Sequence, residues 1–80
     1  MRLDKYLKVS RLIKRRTVAA EAASGGRVTL NGREAKPGAA VRPGDVIELR
    51  FGERKLRVEV LSVDEKTRPD AAAAMYKEIV

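Results

Sequence analysis

Apolar side chains at the start of the chain follow helical spacing. At about 100° per residue, Leu3, Tyr6 and Leu7 fall on one stripe, which predicts a short helix over residues 2 to about 10 and places the Tyr6 ring in the core. Lys and Arg side chains take the opposite side of that helix. The adjacent pair Leu12-Ile13 cannot share one helical face, so we expect both side chains to fill the space before the next helix.

A second helix is predicted from about residue 15 to residue 24. Apolar residues recur there at the i, i+3, i+4 spacing within an alanine-rich segment of high helix propensity. The side chains expected to face the core are those of Val18, Ala19, Ala22 and Ala23. Gly25-Gly26 follows and supplies the positive-φ position that commonly ends a helix.

Alternating polar and apolar positions then predict strands. Residues 27–30 and 33–36 flank Asn31-Gly32, the strongest short-range signal for a two-residue hairpin turn. Further strands are predicted at residues 47–51 and 56–60, each with one apolar face. Between the two hairpins, we expect Val41 to begin another short element.

Two further features complete the predicted organisation. Pro43-Gly44 fits the centre of a type II turn, and Asp45 leads from it into the next strand. The domain is expected to span residues 1–63, and residues 64–80 are expected to form a tail that is partly disordered or a short helix. The predicted fold class is α+β, with two short N-terminal helices packed on a small, mostly antiparallel, twisted sheet.

Positive charge is concentrated at the N-terminal end. The chain carries a formal net charge of +7, and residues 2–16 contain Asp4 as their single acid. Single-sign fields repel themselves, so a polyanionic partner accounts for the imbalance better than a solvated helical face does. The candidate residues for contact with such a partner are Arg2, Lys5, Lys8, Arg11, Lys14, Arg15 and Arg16.

Asp4 has two interpretations from the sequence. A structural role places its carboxylate in the first turn of the helix, where negative charge is favourable, or in an i to i+4 pair with Lys8. A functional role has it orient Arg2 or Lys8 toward a ligand. Both interpretations stay open at the level of sequence.

The residue inventory excludes several kinds of chemistry. The chain has no cysteine and no histidine, which excludes thiolate sites, disulfides and imidazole-based catalysis. It shows no Gly-rich phosphate loop and no nucleophile paired with a base, so we expect no enzyme activity, no cofactor and no metal. Without a long apolar run or a hydrophobic signal core, the expectation is a cytoplasmic protein that does not bind membranes.

Three motifs together resemble the S-four (S4) domain, the RNA-binding module named after the fourth small-subunit ribosomal protein. They are RLDKYLKVSRLIKRR, the hairpin GGRVTLNG and the turn AKPGAAVRPGDVIEL, which cover the chain to about residue 62. The resemblance implies RNA contacts on the two helices and their corner. Many family members have Ser-Arg where this chain has Arg15-Arg16, so the usual hydroxyl N-cap of the second helix is missing.

Within that family the chain is similar to small stand-alone bacterial members that act in ribosome quality control, and to the ribosome-associated heat-shock protein. The resemblance implies three partners: rRNA of obstructed large ribosomal subunits, peptidyl-tRNA, and a tail-adding quality-control factor that extends stalled chains with alanine. It also implies a monomer off the ribosome. The alternatives are a general rRNA- or tRNA-binding rescue or assembly factor, a module appended to an RNA-modifying enzyme, a DNA-binding module, and a domain that binds an acidic protein.

Overall fold

The computed structural model describes residues 1–79, which form three helical segments on one five-stranded antiparallel sheet. The α+β class and the antiparallel arrangement are therefore confirmed. The helices are α1 (Leu3–Val9), α2 (Arg16–Ser24) and a 3-10 helix (Pro69–Met75). The strands are β1 (Val28–Leu30), β2 (Arg33–Glu34), β3 (Val46–Phe51), β4 (Arg54–Val60) and β5 (Tyr76–Glu78).

The strand order is β2-β1-β3-β4-β5, so β3 lies at the centre of the sheet. Asn31 and Gly32 join β1 to β2 with φ values of 53° and 85°, which confirms the predicted turn with two positive φ angles. The Asn31 amide also reaches across to β3: its Oδ1 accepts a hydrogen bond of 2.9 Å from the Val46 N–H, and its Nδ2 donates one of 3.1 Å to Asp45 Oδ1. The first hairpin is thereby fixed to the start of the central strand.

The segment between the hairpins differs from the prediction at one point. Val41 is buried but begins no strand: its N–H donates to the Met1 carbonyl, and its neighbour Ala40 forms an isolated bridge with Arg2. The chain here follows the start of α1 instead of pairing with the sheet. Gly44 has the expected positive φ, 94°, and β3 begins two residues later.

The core lies between the helices and one face of the sheet. Leu3, Tyr6 and Leu7 of α1 are fully buried, as the helical stripe predicted, and they pack with inward-facing side chains of β3 and β4 such as Ile47 and Val58. Burial of this largely aliphatic cluster is the main favourable contribution to folding of the small domain.

One predicted core residue is on the surface. Val18 of α2 is 45 % exposed, whereas Ala19, Ala22 and Ala23 are buried. Helix α2 packs mainly against α1, and small side chains on the contacting face let the two helix backbones come close. Val18 lies about 100° around the helix from Ala19, on the side that faces solvent.

The C-terminal segment completes the sheet. Met75, at the end of the 3-10 helix, is buried, and β5 pairs with β4 through Val60↔Tyr76 and Val58↔Glu78. Strand β5 is not among the elements that the sequence pattern predicts. None of the helices within residues 1–79 has the length and apolar character needed to cross a bilayer.

Candidate nucleic-acid interface

The corner between the two N-terminal helices is built by local backbone contacts. The Ser10 N–H continues the α1 ladder to the Tyr6 carbonyl, and the Ile13 N–H returns to the Leu7 carbonyl at 3.0 Å. Between them, Arg11 has a φ of 62°, in the left-handed region that non-glycine residues seldom occupy. Ile13 is buried and Leu12 is half-buried against the core, so the corner is filled as the sequence predicted.

Asp4 connects the two helices through arginines. Its carboxylate accepts hydrogen bonds from Arg2 Nε at 3.2 Å and from Arg2 Nη2 at 3.1 Å, a bidentate arrangement. Arg16 Nη2, at the start of α2, lies 3.5 Å from the same carboxylate. The Asp4–Lys8 pair considered from the sequence is not formed: tertiary packing brings Arg16 to the buried carboxylate, and Lys8 is exposed.

The Asp4 carboxyl is buried, with 4 % of the residue exposed, yet it is held ionised. Burial by itself would raise its pKa, but the Arg2 hydrogen bonds, the bond of 2.8 Å from the Lys5 N–H and the positive charge of Arg16 together lower that pKa below its ordinary value. The negative charge therefore holds two guanidinium groups in place.

Both guanidinium groups stay available to a ligand. The Arg2 side chain is 57 % exposed and the Arg16 side chain is 49 % exposed, although each contacts a buried acid. The loop that follows β2 passes close to Arg2. A Cβ atom placed on Gly38 of this loop would lie 3.8 Å from the Arg2 guanidinium, which is van der Waals contact distance. Each of the two guanidinium groups is therefore held by Asp4 on the side toward the protein and is exposed on the side toward solvent. This arrangement suits a bidentate contact with phosphate.

The N-terminal ends of the two helices differ in how their N–H groups are used. At α1, the Leu3 and Asp4 N–H groups donate to the carbonyls of Ala39 and Pro37. At α2, Arg15 provides no side-chain cap, and the first helical hydrogen bond runs from the Ala19 N–H to the Arg15 carbonyl. The preceding N–H groups of α2 are left for water or an anion, next to the exposed Arg16 side chain.

The remaining candidate cations occupy different environments. Exposed side chains at and around the corner belong to Lys8, Arg11, Lys14 and Arg15, and no carboxylate of residues 1–79 lies within ion-pairing distance of them. Lys5 is different, because its Nζ lies 3.1 Å from Glu65 Oε1 in the C-terminal segment. Sequence reasoning missed this contact, since no local pattern relates two residues so far apart in the chain.

The described residues offer no set of three or more acidic side chains placed to hold a metal ion. The feature that distinguishes the corner is instead a set of exposed cations around one buried acid and one uncapped helix terminus. Exposed cations and free backbone N–H groups are the groups that attract polyanions in proteins.

Comparison with known proteins identifies the family. The model of the S4 domain matches residues 1–47, a span that contains both helices, the corner, the first hairpin and the start of β3. The chain belongs to the S4 domain family. The match includes every cation of the corner and also Asp4, whereas β4 and β5 lie beyond it.

Full-length relatives extend the similarity to the rest of this S4 domain chain. It is 51 % identical to the RQC P-site tRNA stabilizing factor of Bacillus subtilis over 76 residues, which cover 95 % of this chain and 88 % of that protein. It is 37 % identical to heat shock protein 15 of Escherichia coli over 98 % of this chain and 59 % of that longer protein. The structure of heat shock protein 15 from Vibrio cholerae superposes with a TM-score of 0.90 at 34 % identity, over 99 % of this chain and 81 % of that one.

Proposed function

We propose that this S4 domain chain binds RNA on the large ribosomal subunit with the α1–α2 corner and stabilises P-site peptidyl-tRNA during ribosome quality control in the cytoplasm, without catalysis of its own. The residues proposed to contact RNA are Arg2, Lys5, Lys8, Arg11, Lys14, Arg15 and Arg16. Lys5 is already paired with the Glu65 carboxylate. The proposal therefore implies that an RNA phosphate replaces Glu65 as the partner of the Lys5 ammonium group.

One observation carries the proposal: buried Asp4 holds Arg2 and Arg16 together beside the uncapped start of α2. Two guanidinium groups that are already fixed lose little side-chain entropy when they meet a phosphate. The same point offers backbone N–H groups and the positive end of the helix dipole. An anion at this corner would therefore meet three kinds of favourable contact at once.

The relatives' names supply the biological setting. Proteins of similar length that share half of their residues with this chain are called RQC P-site tRNA stabilizing factors. The finer parts of the proposal are contact with rRNA of the large subunit and cooperation with a tail-adding factor in C-terminal alanine addition. They rest on this similarity together with the basic corner.

Gradient sedimentation tests the RNA-binding role. Wild type, Arg16→Ala and Arg33→Ala are each mixed with purified large subunits that carry peptidyl-tRNA, and the bound fraction is measured across a salt series. Arg33 is an exposed cation on β2, away from the corner, so its variant controls for the loss of one charge. We expect wild type and Arg33→Ala to co-migrate with the subunits and Arg16→Ala to be depleted.

The salt series adds a quantitative criterion. If about four to six cations meet phosphates, the logarithm of affinity should fall against the logarithm of salt concentration with a slope of about −3 to −5. A nearly flat slope, or equal loss of binding by the two variants, would contradict the corner as the site. Failure of wild type to co-migrate would remove the ribosomal subunit as the target.

Alanine tailing requires its own measurement. A reporter that stalls translation is expressed in cells with and without this chain, and mass spectrometry reads the C-termini of the released products. We expect alanine tails to disappear without the chain and to return with wild type but not with Arg16→Ala. Unchanged tails in its absence would limit the function to subunit binding.

A further inference from the structure

The tip of the β3–β4 hairpin extends past the core. The strands pair to their ends, through Leu49↔Leu56 and then Phe51↔Arg54, and Gly52 turns the chain with a φ of 59°. Phe51 continues the inward-facing row of β3, yet it is 47 % exposed, whereas Leu49 two residues earlier is 1 % exposed. The row of apolar side chains therefore runs beyond the part of the sheet that the rest of the chain covers.

Positive charge is concentrated at the tip that carries the exposed ring. Residues 50–55 contain Arg50, Arg54 and Lys55 against one acid, Glu53. Arg54 lies directly opposite Phe51, and both line one shallow depression with Lys55 and Leu56.

The cations at the tip differ in their partners. Arg50 lies 3.7 Å from the carboxylate of Glu48, but within residues 1–79 no carboxylate pairs with Arg54 or Lys55. An apolar ring flanked by two unpaired cations is a poor place for a neutral apolar partner, since binding one would strip water from both charges. The cations at the tip favour an anionic partner instead, and the exposed ring favours a partner that also has a flat apolar face.

An unpaired nucleotide has that chemistry. Every base offers a π face that stacks on an aromatic ring, and the phosphates on either side of the base meet cations. The Phe51 side chain has only two rotatable bonds, so it loses little conformational freedom when a base covers it.

The tip is separate from the corner. The Arg50 N–H donates to the Arg27 carbonyl, and Arg27 comes just after the two glycines that end α2. Arg16 begins that helix. The corner and the tip therefore lie toward opposite ends of α2, whose nine residues span about 13 Å along the axis.

We propose that the hairpin tip, residues 50–56, is a second RNA contact, where an unpaired base stacks on the Phe51 ring and its neighbouring phosphates meet Arg54 and Lys55. This inference goes beyond the corner and does not depend on ribosome binding. With two separated contacts, one small domain can hold two RNA segments at once.

The test uses the full chain and a single-stranded RNA 12-mer with 2-aminopurine at its centre, whose fluorescence falls when the base stacks. We expect wild type to quench the fluorescence. We expect Phe51→Leu, which keeps an apolar side chain without a ring, to lose the quenching and to bind about fivefold to a hundredfold more weakly. Phe51→Trp should retain both properties, because its ring can also stack.

Two matched controls separate stacking from other effects. Leu61 is also 47 % exposed, so Leu61→Ala tests the loss of an exposed apolar side chain elsewhere and should quench as wild type does. Arg33→Ala removes an exposed cation of β2 that belongs to neither proposed contact, and it should keep the quenching. Arg54→Gln should make the salt slope less negative by about 0.7.

Two results would contradict the proposal that a base stacks on Phe51. If wild type does not quench the probe, or if Phe51→Leu quenches it and binds it as wild type does, the proposal is overturned. Because Phe51 is exposed, we expect Phe51→Leu to unfold at the same denaturant midpoint as wild type. If it does not, the comparison between wild type and Phe51→Trp still decides the outcome, since loss of quenching by a correctly folded Trp variant would contradict stacking.

Discussion

The phenol of Tyr6 in α1 donates a hydrogen bond of 2.8 Å to the carbonyl of Met75, 69 residues later in the chain. The same carbonyl also accepts the N–H groups of Leu61 and Ser62, at 2.8 and 3.2 Å. Helix α1, the end of β4 and the C-terminal segment therefore meet at one backbone oxygen. Burial, with a contribution from the nearby Tyr76, raises the pKa of the Tyr6 phenol, so it remains a donor at physiological pH.

We predict that Tyr6→Phe lowers the free energy of unfolding by about 0.5 to 1.5 kcal/mol, the usual net value of one hydrogen bond. The cost stays small because the Met75 carbonyl keeps its two backbone donors. Denaturant unfolding measures the change, and hydrogen exchange should show faster exchange at β5. Loss of more than about 3 kcal/mol would mean that the ring itself no longer packs, and Tyr76→Phe serves as the control for removing a phenol hydroxyl elsewhere.

A second prediction concerns pH and Asp4. Its pKa is lowered in the folded state from an ordinary value of 3.8, so its contribution to stability is fully present above that value. The contribution is lost as the pH falls through the lower, folded-state pKa. We therefore expect Asp4→Asn to be less stable than wild type by about 1 to 2 kcal/mol near neutral pH, and the gap to close in strongly acidic solution.

Denaturant unfolding of both proteins across a pH series measures that gap. Asp70→Asn is the matched control, because Asp70 is exposed and accepts no hydrogen bond among the described residues. Its difference from wild type should stay near zero throughout the series. A gap for Asp4→Asn that does not change with pH would show that the ionised carboxylate contributes nothing to folding.

A third prediction separates folding from binding at Arg11. A non-glycine residue at a φ of 62° costs roughly 1 kcal/mol, so Arg11→Gly should leave the domain as stable as wild type or stabilise it by up to about 1 kcal/mol. The same change removes a cation from the proposed RNA surface. We expect RNA affinity to fall and the salt slope to become less negative by close to one unit.

Arg11→Lys provides the comparison, since it keeps the charge and the strained conformation. It should bind RNA nearly as well as wild type and show no gain in stability. If Arg11→Gly instead unfolds at a lower denaturant concentration and keeps full affinity, the side chain serves the corner structurally and not the ligand.

Local signals in the sequence account for most of the elements. The stripe of Leu3, Tyr6 and Leu7 placed α1 because helical spacing alone decides which side chains share a face. Asn31-Gly32 placed the first hairpin because few residue pairs accept two positive φ angles. The alternation in β3 and β4 predicted one buried face, which the structure confirms up to Leu49 and Leu56.

Properties that depend on contacts between distant residues could not be predicted in this way. The exposure of Val18 depends on how closely α2 approaches α1, and the partner of Asp4 depends on which arginine the corner brings near it. Strand β5 shows almost no alternation of polar and apolar residues. It forms because the edge of β4 is free to pair with it and because the Tyr6 hydroxyl donates a hydrogen bond to the carbonyl of Met75, the residue before β5.

The sequence by itself determined the helices, the turns and the strong local excess of cations, since each follows from conformational preferences and charges of neighbouring residues. Only the tertiary structure decided how those cations are presented. Burial of the Asp4 carboxylate between two helices requires compensating positive charge, and this requirement sets Arg2 and Arg16 side by side. The hairpin tip was likewise decided by packing, because a strand pattern predicts that Phe51 faces inward but cannot show that the core ends before reaching it.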